Sequence, residues 1–410
     1  MTAAPTRTGG ESRTTYDVVV AGLGGFGSSI AYHLARRGLR VLGLDPRPPA
    51  HAEGASHGES RIVRQVYFEG TAYVPLLLRT FELWHELALG GQPLLRRTGG
   101  LFMGTAGTRV LDGSIATARE WSLDHELIDA AEIARRFPAL RPPADTMGLY
   151  EPQAGVVGPE AAVSAHLRAA TAAGAKLRHD EEVTGWSAGA DWVAVTTSRG
   201  LVEAGALVLA PGRWTSGLLG GLDLPLVVEH RVQHWFAPRR PAGFEIGALP
   251  VWLWDRTDGT SFYGVPSLAG EGGVKAAVHF STARPPADWS AAHVAAVVGE
   301  LMPDLGDRLV RSAPCWYTLT PDQHFVVGPH PASDRVLLAC GFSGHGFKFT
   351  PVLGEVIADL VVEGRSSFDL SSFDPLRFDP ARPDPVRRDL ARPDPVRRGP
   401  GSAPPSTPVP

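Results

Sequence analysis

The sequence predicts an α/β fold of two domains (α+β in overall layering), with a Rossmann-type dinucleotide-binding domain interrupted by an antiparallel-sheet domain. Three observations predict it. A short apolar strand, 17–21, runs directly into Gly22-x-Gly24-x-x-Gly27 and then into a helical stretch. A second strand, 41–44, follows that helix and ends at Asp45, which completes a βαβ unit. From Pro225 to Tyr317 the chain turns rich in Val, Trp, Phe and turn residues (Asp258-Gly259, Gly270 to Gly273), the pattern of a mostly antiparallel sheet.

Each element follows in order. The DVVVA strand is uniformly apolar, as strands buried in a parallel sheet are. The helix is expected over 28–37, with Ile30, Ala31, Leu34 and Ala35 on one face. A further helix over 161–173 ends at Gly174. The runs 192–197 and 201–204 read as a hairpin turning at Arg199-Gly200, with a separate buried strand over 206–210. The last helix spans Thr350 to Gly364, with Thr350 as N-cap, Pro351 at N1 and Gly364 at C′. Residues 1–15 read as a disordered leader. The dinucleotide domain is assigned to 16–94, 148–217 and 324–373, and the sheet-rich substrate domain to 95–147 and 218–323. The Pro- and Arg-rich tail, 374–410, carries ARPDPVRR at 381–388 and 391–398 and reads as disordered.

Composition narrows the function. A net charge of -4 gives no reason to expect nucleic acid or an anionic membrane surface as partner. No apolar run reaches the roughly 18 residues that span a bilayer. The polar N-terminus lacks the apolar segment of a secretory signal, so a cytoplasmic location is expected. Two cysteines, Cys315 and Cys340, allow neither a disulfide framework nor a Cys-rich metal site, and no metal is expected. Cys340 reads as a small buried hydrophobe. Of 39 basic residues only Lys176, Lys275 and Lys348 are lysine. In so Arg-biased a chain, a retained lysine points to a place that requires a compact ammonium. Lys176, between helix and strand, needs no such reading; Lys275 and Lys348 do.

The glycine fingerprint binds a dinucleotide. Gly22 allows a tight turn, Gly24 lets the backbone approach a pyrophosphate, and Gly27 lets helix and strand pack closely. The helix N-terminus offers free N–H groups to phosphate, and Asp45 stands where an acid binds a ribose hydroxyl. The fingerprint alone does not choose between FAD and NAD.

Four blocks, within a similarity that runs from about Tyr16 to Phe373, make that choice. His57-Gly58-Glu59-Ser60-Arg61-Ile62-Val63-Arg64 comes shortly after Asp45. Ser312-Ala313-Pro314-Cys315-Trp316-Tyr317 is followed by Thr318, Asp322 and His324. Gly341-Phe342-Ser343-Gly344-His345-Gly346-Phe347-Lys348 leads into the last helix. Tyr263 stands with Lys275 and His279, whose spacing puts both on one face of a strand. Together these resemble the monomeric sarcosine oxidase and N-methyltryptophan oxidase family of FAD-dependent amine oxidases. The turn Ala210-Pro211-Gly212-Arg213-Trp214 is similar to that family's (T/M)GAW turn near FAD.

The resemblance implies the following roles. Cys315 carries FAD covalently. Arg61 lies beside the flavin, and Gly344, His345 and Gly346 belong to the loop that cradles it. Arg64 and Lys348 hold the substrate carboxylate, Lys348 also standing close to the cofactor. Lys275 activates dioxygen, while His279, Tyr263 and Tyr317 line the substrate site. It further implies oxidation of a secondary or cyclic amine, dioxygen as acceptor, hydrogen peroxide as product, and a monomer. An NAD-dependent dehydrogenase and a flavin-binding protein without catalysis are the competing classes; the joint presence of Arg64, Lys275, His279 and Lys348 speaks against the second.

Three departures from the family pattern bear on the substrate. Gln65 stands where His is usual. Glu229-His230-Arg231-Val232-Gln233-His234 does not reproduce the PxRQ pattern. Trp252 and Trp254 alternate on one strand face. Those two either face the pocket, which makes Trp254 a substrate-binding residue and suits a larger, flatter biosynthetic amine, or pack the core.

Overall fold

The computed structural model describes residues 15–89, 91–268, 272–281 and 290–379. The expected leader (Thr15 apart), Gly270 and both ARPDPVRR copies lie outside them. The chain divides into two compact units, Met1–Pro375 and Leu376–Pro410; the sheets and the site belong to the first.

Tyr16–Ala21 is flanked in parallel by Val41–Asp45 and by Gly200–Leu209. Lys176–His179 extends this sheet beyond Val41–Asp45, and Ser333–Cys340 joins the end of Gly200–Leu209. The strands are apolar because helices cover them: Gly25–Arg36 packs against both Pro159–Ala172 and Thr350–Glu363. Ile30, Ala31, Leu34 and Ala35 are all buried there, as their spacing predicts. The parallel strands end together at Ala21, Asp45 and Leu209, which opens a crevice at their carboxyl ends.

Three boundaries differ from the sequence reading. The helix begins at Gly25, because the fingerprint itself forms its first turn. The segments 201–204 and 206–210 are one strand, Gly200–Leu209. Gly205 does not break it; a Cβ there would lie 2.9 Å from Asp17 O, so the glycine serves a close approach of the neighbouring backbone. Thr350 is not the N-cap, because the preceding Phe347–Phe349 turn already runs into the helix. Gly364 ends that helix at φ +71°, as the sequence predicts.

The second sheet runs Leu309–Leu319, Val227–Phe236, Val274–Ser281, Thr260–Val265, Val251–Asp255, Gly100–Gly104, Met147–Glu151, Glu126–Asp129. Every neighbouring pair is antiparallel except Val251–Asp255 with Gly100–Gly104. A small third sheet sets Gly155–Val157 between Arg61–Val63 and Leu95–Arg97. Among the described residues no helix is long and apolar enough to cross a membrane, and no His/Cys/Asp/Glu cluster could hold a metal.

Candidate active site

The crevice is built by close approaches that only glycine permits. Gly22 has φ +92°, and a Cβ on it would lie 2.5 Å from Ala210 O. A Cβ on Gly27 would lie 1.7 Å from Gly22 O, so Gly27 serves helix–strand packing and does not line the crevice. Asp45 accepts the N–H of Leu23 at 2.7 Å and of Arg47 at 2.9 Å, holding the fingerprint turn while it faces the crevice. The crevice has a volume of ≈ 200 Å³ and runs from Gly22, Gly24 and Asp45 to Arg61, Cys315, Gly344 and Gly346. Cys315 is buried at its far end, its Sγ 3.7 Å from Arg61 Nη2. A dinucleotide fingerprint and a buried thiol thus bound one continuous cleft, a fit for FAD.

A smaller cavity of ≈ 80 Å³ adjoins it. Arg61, Cys315, Tyr317, Gly344 and Phe347 line both. Gly344, at φ +78°, could carry no side chain, since its Cβ would meet the Tyr317 ring at 2.2 Å. Arg64, Tyr263, His279, His345 and Lys348 line the smaller cavity only, so His345 and Lys348 stand on its wall and not on that of the crevice.

The chemistry of this cavity centres on a residue the sequence reading missed, Glu69. Arg64 donates to both Glu69 oxygens, at 2.7 and 2.5 Å, and to Val66 O at 2.6 Å. The pair is buried, with side-chain exposures of 3% and 6%. Burial works against the Glu69 charge, but Arg64, and behind it His345, Lys348 and His279, hold its carboxyl down at about 2. Burial and Arg64 push Lys348 down to about 7, with Glu69 opposing. Its Nζ donates to His345 O at 2.7 Å. Burial also lowers His279 to about 3 and His345 to about 4, so both are neutral near pH 7. His345 Nε2 then donates to Gln323 O at 2.9 Å, which leaves Nδ1 to accept the Tyr67 hydroxyl. Burial raises the hydroxyls of Tyr263 and Tyr317 above their ordinary range. Glu69 follows Arg64 by five residues, just beyond the 57–64 block; a carboxylate that close in sequence to Arg64 was the available signal.

Lys275 lines neither cavity. It is buried behind the 57–64 block, where its Nζ donates to Ser60 O at 2.9 Å and Gly58 O at 3.1 Å. Burial holds its ammonium well below the usual lysine range. Glu151 supports the same block from below, accepting Gln65 N at 2.8 Å and Val66 N at 3.2 Å.

Trp254 does not touch the substrate cavity, contrary to the expectation. Trp252 and Trp254 are buried on the opposite face of their strand, in a core with Phe236, Phe262 and Val298. The intervening Leu253 lines the cavity instead. Gly264 pairs with Trp252 across the sheet, and a Cβ there would strike the indole at 2.3 Å, so the missing side chain makes its room. Gln65 lines a separate surface hollow with Leu78 and His85, so that departure does not shape the cavity. Within 229–234, Arg231 pairs with Glu229 at 2.5 Å and lies 5.3 Å from the Tyr317 ring.

A crevice for a dinucleotide, joined through Cys315 and Tyr317 to a small cationic cavity, defines an FAD-dependent oxidoreductase. Residues 17–360 match the family described as FAD dependent oxidoreductase, to which the chain belongs. The chain is 44% identical to the monomeric sarcosine oxidase of Streptomyces avermitilis over 375 residues, covering 88% of this chain and 98% of that one. It is 32% identical to the N-methyl-L-tryptophan oxidase of Salmonella dublin over 369 residues, covering 87% and 98%. Among solved structures it resembles NikD, an unusual amino acid oxidase essential for nikkomycin biosynthesis, at 29% identity and TM-score 0.77, covering 88% of this chain and 97% of NikD. The chain is therefore a member of the monomeric sarcosine oxidase and N-methyltryptophan oxidase family.

Proposed function

We propose that the smaller cavity oxidises an N-methyl or cyclic amino acid whose carboxylate docks on Arg64 and Lys348. The chain is a flavin-dependent amine oxidase, and the observation that carries this reading is a small cavity that shares Cys315 and Tyr317 with the crevice and adds Arg64 and Lys348 outside that shared wall. Arg64 presents a guanidinium suited to a carboxylate, and its Nη2 already donates to both oxygens of Glu69 while Nη1 holds Val66 O. An incoming carboxylate takes over part of the site of Glu69. Arg61, Arg64 and Lys348 disfavour an ammonium in so buried a place, so the bound amine is neutral and its lone pair is available. Ile62, Leu253 and Val265 give apolar walls suited to a methyl group or small ring, and the large aromatic pocket expected for a flatter biosynthetic amine has no Trp lining it. Tyr263, Tyr317 and neutral His279 confine the amine beside the shared wall.

FAD, when bound, would supply the electron sink for loss of hydride from the carbon next to nitrogen, with dioxygen as terminal acceptor and hydrogen peroxide as product. The imine leaves and is hydrolysed. Gly22, Gly24 and Asp45 would hold the dinucleotide, and Cys315 would bind the flavin covalently, its thiol beside the Arg61 guanidinium. Lys275, whose Nζ sits behind the 58–60 backbone, is the residue we assign to dioxygen activation on the family resemblance. Cytoplasmic residence accords with two free cysteines, and a monomer is the expected state.

The test is anaerobic mixing with sarcosine, N-methyl amino acids, proline and pipecolate while flavin absorbance is followed. Rapid bleaching by one of these, with none by the matching amines that lack the carboxylate, is expected. Equal bleaching by the decarboxylated analogues overturns the docking role. For the covalent link, acid-precipitated protein stays yellow and Cys315→Ala releases its flavin; a colourless wild-type precipitate refutes it.

A further inference from the structure

We propose that Arg213 is a cofactor-binding residue, clamping the diphosphate of FAD across the middle of the crevice. Where the similar (T/M)GAW turn carries a small residue, this chain has Arg213, followed by Trp214. The turn begins at the close approach of Ala210 to Gly22, so Arg213 leaves the backbone three residues from the fingerprint contact. Its guanidinium carbon lies 4.4 Å from the Trp214 ring centroid and 4.5 Å from that of Trp316, the neighbour of the flavin-bearing Cys315. Arg213, Trp214 and Trp316 all line the crevice, as does Arg47, which sits 4.0 Å from the Trp214 centroid. The arginine therefore bridges from the fingerprint end to the cysteine end.

Among the described residues its charge has no hydrogen-bonding or ion-pair partner, and its Nε is buried without an acceptor. Two of the acidic groups on this side are engaged elsewhere: Glu53 holds Arg47 at 2.7 Å, and Asp45 accepts two backbone amides. A half-buried guanidinium set close to two indole rings on the wall of a ligand cleft, with a buried Nε lacking an acceptor, is placed for an anion with several acceptor oxygens. In a dinucleotide laid from Gly22 to Cys315, the diphosphate is that anion. The two indoles fix the guanidinium plane beforehand, so little side-chain freedom is lost on binding.

The inference rests on the crevice taking FAD, and the experiment reads FAD retention apart from turnover. In the Cys315→Ala background, holoprotein is diluted and FAD release is followed by the rise in flavin fluorescence, at low and at moderate salt. Should wild-type protein already release its FAD, the same series is run without that substitution, so failure of the covalent link does not obscure the result. Arg213→Ala and Arg213→Met are expected to speed release about tenfold to a hundredfold, as loss of a charge-assisted hydrogen bond implies, and to flatten the salt dependence. Arg213→Lys falls between. Release within about twofold of the parent in every variant overturns the proposal. So does a parent-like rate in Arg213→Met alone, since its stem keeps the packing and drops the charge. Should Arg213→Ala fail to fold, the Met and Lys variants decide.

Discussion

Replacing Glu69 with Gln separates the two partners of Arg64 while keeping the shape of the side chain. The magnitude follows from the structure. The Glu69 carboxyl moves from an ordinary 4.5 to about 2 in the folded protein, against its own burial. That shift corresponds to about 3 kcal/mol of folding free energy, close to the cost of removing one partner from a buried ion pair. The sign follows from linkage: a depressed carboxyl stabilises the fold above its unfolded value, and the gain is lost as pH falls through about 4.5 towards 2. At neutral pH the variant should therefore melt roughly 5 °C lower. It should also bind a small carboxylate more readily, because a neutral amide competes for Arg64 less strongly than a carboxylate does. Acetate, which has no amine to oxidise, is the probe. Thermal melts with and without acetate should show a larger upward shift in Glu69→Gln than in the wild type. A variant that melts within about 1 °C of the wild type and gains no more from acetate refutes the view that Glu69 holds the carboxylate site.

Lys348 sits near 7, charged below that pH and neutral above it, so acetate affinity should fall as pH rises from 6 to 8 and fall less steeply in Lys348→Met; an unchanged slope assigns the titration to Glu151, which burial raises to about 7 beside Arg64, since His279 and His345 are neutral across that range. Lys275→Met should slow flavin reoxidation by dioxygen far more than its anaerobic reduction, whereas equal effects remove its assigned role. Trp254→Phe should cost about 1–2 kcal/mol of stability and leave substrate preference unchanged, because its ring packs the core behind the cavity; a changed preference contradicts that placement.

Much of the dinucleotide site was legible in the chain because its requirements are local. Gly22 and Gly27 meet within one turn, and Asp45 ends the very next strand, so spacing alone specifies who touches whom. The 57–64 and 341–348 blocks could be read as candidates for the same reason: each is contiguous and carries its own glycines. The sequence therefore determined a dinucleotide crevice, its glycine turns and the set of charged residues brought to it.

Tertiary structure decided the rest. Strand alternation puts Trp252 and Trp254 on one face and Leu253 on the other, but it cannot say which face looks into the cavity. Both faces of this sheet are buried, one against an apolar core and one against the site, so burial preference does not break the tie. Glu69 likewise becomes an active-site residue only when the chain folds back and brings His279, His345 and Lys348 around its pair with Arg64. Arg213 gains its meaning only when Trp316, from a distant segment, joins its own neighbour Trp214 beside the guanidinium. Charge and glycine act through near neighbours in sequence, whereas burial and electrostatic company are properties of what the fold assembles from afar.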